Sequence, residues 1–204
     1  PLDTPDGGNV GLHKHMSIVA KITNGFSMYP MVQWLRVYCS LIYLTETLSQ
    51  NLIRCAKVFV NGAWVGVVNE PIECIETIKF YRRNSLIPIY TSVSWNTEDN
   101  SIEIYTDSGR LIRPLFYIDR DNTLAFKTNK TLENKIAKGD FTWNMLITGF
   151  QKKKDDKFNI KNNKFYTIKE LYDVKIETLQ ENKAVIEYLD SSETNSKLIS
   201  TSLV

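Results

Sequence analysis

Apolar residues recur at two different periods along this chain, and the changes of period mark out its elements. Residues 16–22, Met-Ser-Ile-Val-Ala-Lys-Ile, alternate apolar with small or polar positions and predict a strand, closed by Asn24-Gly25. Ser27 then caps a predicted helix in which Met31, Trp34, Leu35 and Tyr38 fall at i, i+3, i+4 and i+7, one buried stripe. Residues 41–54 read either as a second helix or, from their β-branched and aromatic content, as a strand. Residues 57–60 and 64–68 flank Asn61-Gly62-Ala63, the strongest hairpin signal of the chain. Asn69-Glu70-Pro71 announces a helix with Ile72, Ile75 and Ile78 facing inward. At its end stand Arg82 and Arg83, which read first as a helix terminus favoured by the dipole and second as a phosphate contact.

From Thr91 onward the pattern turns to strands, at 92–95, 101–106 and 110–118, the last after the tight turn Asp107-Ser108-Gly109. Pro114 lacks a ladder donor, so that strand is expected to be bulged or at an edge. Short helices are predicted at 132–136 and 141–147 around Gly139, with Asp140 as a cap. A capped helical turn is expected at 167–172, then strands at 184–189 and 197–201 joined by the polar stretch 190–196. With no internal repeat, the result is an α+β fold of antiparallel hairpins and small sheets packed with short helices.

Composition narrows the chemistry. Hydrophobic residues make up 43% and charged residues 24% of 204 residues, ordinary for a globular chain, and the formal charge is only +2. Any nucleic-acid contact must therefore be local. Residues 151–164 hold six lysines and two aspartates, and read as a solvated loop or, more sharply, as a basic arm. Cys39, Cys55 and Cys74 are too widely spaced to suggest a zinc site, even with His13 and His15, and read as reduced, buried thiols. The apolar stretch 28–53 is broken by Pro30, Gln33, Arg36, Thr45, Glu46 and Gln50, so no membrane partner is expected. No signal segment opens the chain, and Pro1 suggests a piece of something longer. Trp34, Trp64, Trp95 and Trp143 fall in predicted elements, where packing is favoured over base stacking.

Residues 3–12, Asp-Thr-Pro-Asp-Gly-Gly-Asn-Val-Gly-Leu, surround two carboxylates with turn-forming residues. That order closely resembles the Glu-Thr-Pro-Glu-Gly-x-Asn-x-Gly-Leu signature of the second-largest (β-like) subunit of multisubunit DNA-directed RNA polymerases. Gly8 stands where the family usually carries Gln or Pro, and both acidic positions lose a methylene. Further segments resemble the same family in order. Residues 59–67 are similar to its Val-Asn-Gly-x-Trp-x-Gly hairpin, Arg82-Arg83 to a basic pair, and 106–116 to its Thr-Asp-x-Gly-Arg-x-x-Arg-Pro-Leu-Phe motif. Residues 186–190 and Glu193 resemble its Glu-Tyr-Ile-Asp-x-x-Glu strand and acidic turn; residues 121–182 match poorly.

The resemblance implies part of an enzyme that makes RNA on a DNA template from nucleoside triphosphates. It implies residues 1–26 as the end of the fork region with an active-centre loop, 27–120 as an external domain, and 121–204 as a second external segment carrying the 151–164 insertion. No catalytic residue or cofactor is implied here: Mg2+ would be bound elsewhere in the polymerase, by an Asp triad of the largest subunit that this chain lacks. Asp3, Asp6, Gly7, Asn9 and Lys14 are implied as active-centre support near nucleic acid. Arg110 and Arg113 are candidates for structural or nucleic-acid contacts, with Arg113 expected to pair with Asp107. Implied partners are the other polymerase subunits, above all the largest, with template DNA and transcript. The setting is intracellular: nucleus for a cellular eukaryote, cytoplasm or virion for a large DNA virus, which the lysine and asparagine richness suggests. The alternative is a self-contained nucleic-acid or protein-binding module acting through 151–164. No nucleophile elbow, phosphate loop or His-rich metal motif favours a hydrolase.

Overall fold

The computed structural model describes residues 5–12, 16–119, 122–128, 132–139, 142–149, 179 and 183–200. The expected basic loop at 151–164 and helical turn at 167–172, and the proposed cap Asp140, lie outside them.

Two sheets organise the described residues. The first is five-stranded, in the order β2-β4-β3-β6-β5. Its strands are β2 (Ile42–Tyr43), β3 (Ala56–Val60), β4 (Ala63–Val68), β5 (Ser92–Asn96) and β6 (Ser101–Tyr105). Pairing is antiparallel except for β3 with β6, where Lys57 to Val60 run parallel to Ser101 to Ile104. The β3–β4 hairpin closes as expected, with Val60 opposite Ala63 and both loop residues in the left-handed region, Asn61 at φ 51° and Gly62 at φ 80°. Asn61 also ties this hairpin to the end of β6: its Oδ1 accepts from the Thr106 N–H at 2.7 Å, and its Nδ2 donates to Thr106 Oγ1 at 2.9 Å.

Helices α1 (Met28–Tyr38) and α3 (Pro71–Arg83) cover one face of this sheet. Ser27 caps α1 by accepting from the Tyr29 N–H, and Met31, Trp34 and Leu35 are buried, as the stripe requires. On α3, Cys74, Ile75 and Ile78 are buried against Val58, Val60, Ile102 and Ile104, but Ile72 lies at the first turn and is exposed rather than inward. Ile78, fully buried, contributes about 1.5–3 kcal/mol.

The second sheet has the order β1-β7-β8, from β1 (Lys21–Ile22), β7 (Leu111–Phe116) and β8 (Ile186–Asp190). Its core joins Ile112, Ile186 and Tyr188 to Ala125 of α4 (Ala125–Thr128) and to Leu146 and Ile147 of α6 (Trp143–Thr148); α5 (Leu132–Ala137) lies between those helices in sequence. Thr142 occupies the cap position of α6. Pro114 meets its expectation, because β1 reaches only Leu111 and Ile112 and leaves β7 with β8 alone at that position.

Three expectations change. Residues 16–20 are not strand: the Ala20 N–H turns back to the Ser17 carbonyl, and Met16, Ile18 and Val19 find no core to face. Residues 41–54 form neither one helix nor one strand but β2, a 3-10 turn (Leu44–Glu46) and a four-residue α2 (Asn51–Arg54). Gly66 decides this, since a Cβ there would lie 2.1 Å from the Ile42 carbonyl oxygen and exclude β2 from the sheet. Finally, 191–195 is helix α7 (Ser191–Asn195), capped by the Asp190 carboxylate at the Glu193 N–H, and 197–200 is not strand. The three cysteines are buried and unpaired by disulfide, as expected.

Candidate functional site

Two groups of residues flagged by the sequence have different settings. The first is the acidic loop. Residues Gly7–Asn9 make one 3-10 turn, closed by Val10 N–H to the Gly7 carbonyl at 3.2 Å and followed by Leu12 N–H to Asn9 at 3.2 Å. Asp6 precedes it in extended geometry without capping it, and Gly7, Gly8 and Asn9 are exposed. Asp6, Gly7 and Asn9 thus share a short, self-bonded turn open to solvent; Asp3 and Lys14 lie outside the described residues.

The second group is buried. Arg82, at the end of α3, is 2% exposed and forks onto Glu193 of α7, with Nη1 2.6 Å from Oε2 and Nη2 2.9 Å from Oε1. Nη2 also reaches Glu187 Oε1 on β8 at 3.1 Å, and Nη1 donates to the Thr91 carbonyl at 2.8 Å. Arg83 Nε donates to the same Glu187 oxygen at 2.8 Å, its guanidinium lying 3.6 Å from the Tyr117 ring centroid. Lys197 Nζ adds a contact to Glu193 at 2.5 Å. Burial alone would raise the carboxyl of Glu187, yet Arg82 and Arg83 hold it well below the usual range. Burial likewise opposes ionisation of Glu193, and Arg82 with Lys197 overrides it. Burial would lower the Arg82 guanidinium, but Glu193 and Glu187 raise it. Arg82 Nε has no hydrogen-bond partner, and a cavity of about 10 Å3, the size of one water, is lined by Arg82, Glu187 and Tyr188 among others.

The network continues to the turn before β7. Asp190 Oδ1 accepts from Ser92 Oγ at 2.7 Å, while Oδ2 accepts from Arg110 Nη1 at 2.9 Å. Arg110 Nε reaches Asp107 at 2.7 Å, and its Nη2 reaches the Tyr90 carbonyl at 3.0 Å. The partner of Asp107 is therefore Arg110, not Arg113. Arg110 lies on the turn, where it can fold back over Asp107, whereas Arg113 stands on β7, is exposed and forms no ion pair among the described residues.

Three motifs far apart in sequence, Arg82-Arg83, Asp107 to Arg110 and Glu187 to Glu193, thus form one charged cluster that welds α3, β5, β7, β8 and α7. Arg82-Arg83 do end α3, as expected, but their guanidinium groups meet buried carboxylates, a pairing for which the acidic residues 187, 190 and 193, at three-residue spacing, are the available signal in the sequence. Of the tryptophans, Trp34 is buried against Tyr38 and Tyr81, Trp64 stacks on Phe59, Trp95 packs partly against the core, and Trp143 is 44% exposed. Beside Phe59, the outer face of the first sheet holds an open depression of about 380 Å3 lined also by Lys57, Asp99, Glu103 and Tyr105. Among the described residues no group of three or more His, Cys, Asp or Glu is arranged to hold a metal ion, and no helix is long and apolar enough to cross a membrane.

Comparison with known proteins gives this cluster a context. Residues 58–119 match the family model of RNA polymerase Rpb2, domain 4. The chain is 32% identical over 148 residues to the DNA-directed RNA polymerase II subunit RPB2 of Encephalitozoon cuniculi, covering 72% of this chain and 13% of that protein. It is 31% identical over 149 residues to DNA-directed RNA polymerase II subunit 2 of Arabidopsis thaliana, 72% of this chain and 12% of the relative. With RPB2 of Eremothecium gossypii it shares 28% identity over 201 residues, 98% of this chain and 15% of the relative. The chain therefore spans between 12% and 15% of the length of these relatives.

Proposed function

The chain belongs to the second-largest-subunit family of DNA-directed RNA polymerases, corresponding to a segment of that subunit, and from this premise we propose that it is a non-catalytic, structural part of the transcribing enzyme. Its work is to hold shape beside the active centre while nucleotidyl transfer takes place on metal ions bound by the largest subunit. The observation that carries this reading is the buried cluster of Arg82, Glu187 and Glu193, because it turns these charges inward to join two sheets rather than outward to a substrate. The exposed turn of Asp6, Gly7 and Asn9, with Asp3 and Lys14 beside it in sequence, faces the active centre, its carboxylates orienting basic side chains of neighbouring elements near nucleic acid. Partners are the largest subunit and the other polymerase subunits, with template DNA and transcript in the full complex. The enzyme works where its genome is transcribed, in the nucleus of a cell or in the cytoplasm or virion of a large DNA virus.

The test has two arms. The complete subunit containing this chain is expected to co-purify with the largest subunit and support template-dependent RNA synthesis, and the 204-residue chain alone, given template, primer, Mg2+ and nucleoside triphosphates, is expected to incorporate nothing. Synthesis by the chain alone, or a complete subunit that never joins the largest subunit, would overturn the reading.

A further inference from the structure

We propose that Asn24 is a site of spontaneous covalent modification, converting to aspartate and isoaspartate through a ring closed with its neighbour Gly25, while the fold shields the same pair at Asn61-Gly62. Asparagine followed by glycine occurs at these two places in the chain. In the reaction the Gly25 backbone nitrogen attacks the side-chain carbonyl carbon of Asn24. A bond forms between that nitrogen and Cγ, the Cγ–Nδ2 bond breaks, and the amide proton of Gly25 leaves with ammonia. Water then opens the resulting succinimide at either carbonyl, so ammonia is lost and water gained, with nothing oxidised or reduced. Glycine favours the step because it has no Cβ to hinder the approach of its nitrogen. Attack also requires a carboxamide free to swing back along the chain and a glycine N–H that is not engaged.

The first pair meets these requirements and the second does not. Asn24 and Gly25 are exposed in the irregular segment between β1 and α1, and among the described residues neither the Asn24 carboxamide nor the Gly25 N–H has a hydrogen-bond partner. Asn61 has both ends of its carboxamide fixed on Thr106, Oδ1 accepting from the N–H at 2.7 Å and Nδ2 donating to Oγ1 at 2.9 Å. Both bonds must break before its side chain can reach Gly62. Modification at Asn24 has a structural consequence, because clamps on either side tie its segment to the turn before β7. On one side lies buried Thr23, whose N–H donates to the Arg110 carbonyl at 2.9 Å and whose carbonyl accepts from the Gly109 N–H at 3.0 Å. Its Oγ1 donates to the Asp107 carbonyl and accepts from the Arg110 N–H, each at 3.0 Å. On the other side the Phe26 N–H donates to the Thr106 carbonyl at 3.0 Å. Gly25 fits so closely between them that a Cβ there would lie 2.7 Å from the Ser108 nitrogen. Isoaspartate routes the backbone through the former side chain and inserts a methylene between the clamps, so the segment must slacken. The same turn positions Arg110, which pairs with Asp190, so the disturbance reaches the edge of the charged cluster.

The experiment is to age the 204-residue chain at neutral pH and follow its tryptic peptides by mass spectrometry; Asn24 falls in residues 22–36 and Asn61 in 58–79, so each site is read separately. In the folded chain Asn24 is expected to convert about tenfold or more faster than Asn61, the factor set by two ordinary hydrogen bonds broken before attack. In concentrated urea, where the bonds to Thr106 are gone, the two rates should converge. Asn24→Gln, which would have to close a larger ring, should abolish conversion in 22–36 and leave thermal unfolding unchanged. The fraction carrying isoaspartate at position 24, separated by chromatography, should show faster amide exchange at Phe26 and Gly109 than the fresh chain. Equal rates at the two sites in the folded chain, conversion of Asn24 only in urea, or a difference in rate that persists in urea each overturns the proposal. Isoaspartate at position 24 with exchange at Phe26 and Gly109 unchanged overturns the structural consequence.

Discussion

Replacing Arg82 by methionine removes the charge on which two buried carboxylates depend. Arg82 donates four hydrogen bonds, to Glu193 (2.6 and 2.9 Å), Glu187 (3.1 Å) and the Thr91 carbonyl (2.8 Å), and methionine, though similar in length, donates none. Removing one partner of a buried ion pair costs roughly 3–5 kcal/mol, because the remaining charge stays desolvated. Here Lys197 still reaches Glu193 and Arg83 still reaches Glu187, so the lower end, about 3 kcal/mol, is expected. In a chain of this size each kcal/mol moves Tm by roughly 2–4 °C, giving a drop of about 6–12 °C by circular dichroism. The variant R82M/E187Q/E193Q removes the stranded charges and should recover about half of that loss or more. A drop under about 2 °C for R82M, or a triple variant no more stable than the single, would refute the idea that the cluster holds the two sheets together.

Acid should unfold the chain through the same groups. The folded-state carboxyls of Glu187 and Glu193 lie below their ordinary values, so the unfolded state binds more protons, and stability present above about pH 4.3 is lost as pH falls through the folded values. Urea midpoints measured from pH 6 to pH 2 should show this loss, and E187Q/E193Q should flatten it. Lys79 shifts the opposite way: burial, with Lys197 nearby, pushes it down to about 8. Its charged form opposes folding below that value, so Lys79→Met should raise the urea midpoint at pH 7, and a lower midpoint would count against the assigned burial. Gly66→Ala should detach β2, costing about 1–3 kcal/mol and speeding amide exchange at Ile42 and Tyr43. Ile78→Ala should cost about 2–5 kcal/mol and Ile72→Ala less than about 1 kcal/mol; equal losses would mean α3 presents a different face to the sheet.

What could be read from the residues alone was local or repetitive. Asn61-Gly62 specifies its own turn because both positions must adopt positive φ, and the stripe from Met31 to Tyr38 specifies α1 because a helix puts those positions on one face. Family membership was legible in the same way, through short ordered motifs. The fate of those motifs was not. Residues 16–22 carry a strand pattern yet pair only at Lys21 and Ile22, since alternation cannot say whether a neighbouring strand extends far enough to receive it. Arg82 and Glu193 are 111 residues apart, and Arg110 and Asp190 are 80 apart. Such pairs come together only when the packing of α3, β8 and α7 removes water from between them, where an unpaired charge would be too costly to keep. Sequence determined which charges are present; the tertiary structure decided that Arg82, Arg83 and Arg110 turn inward and Arg113 outward.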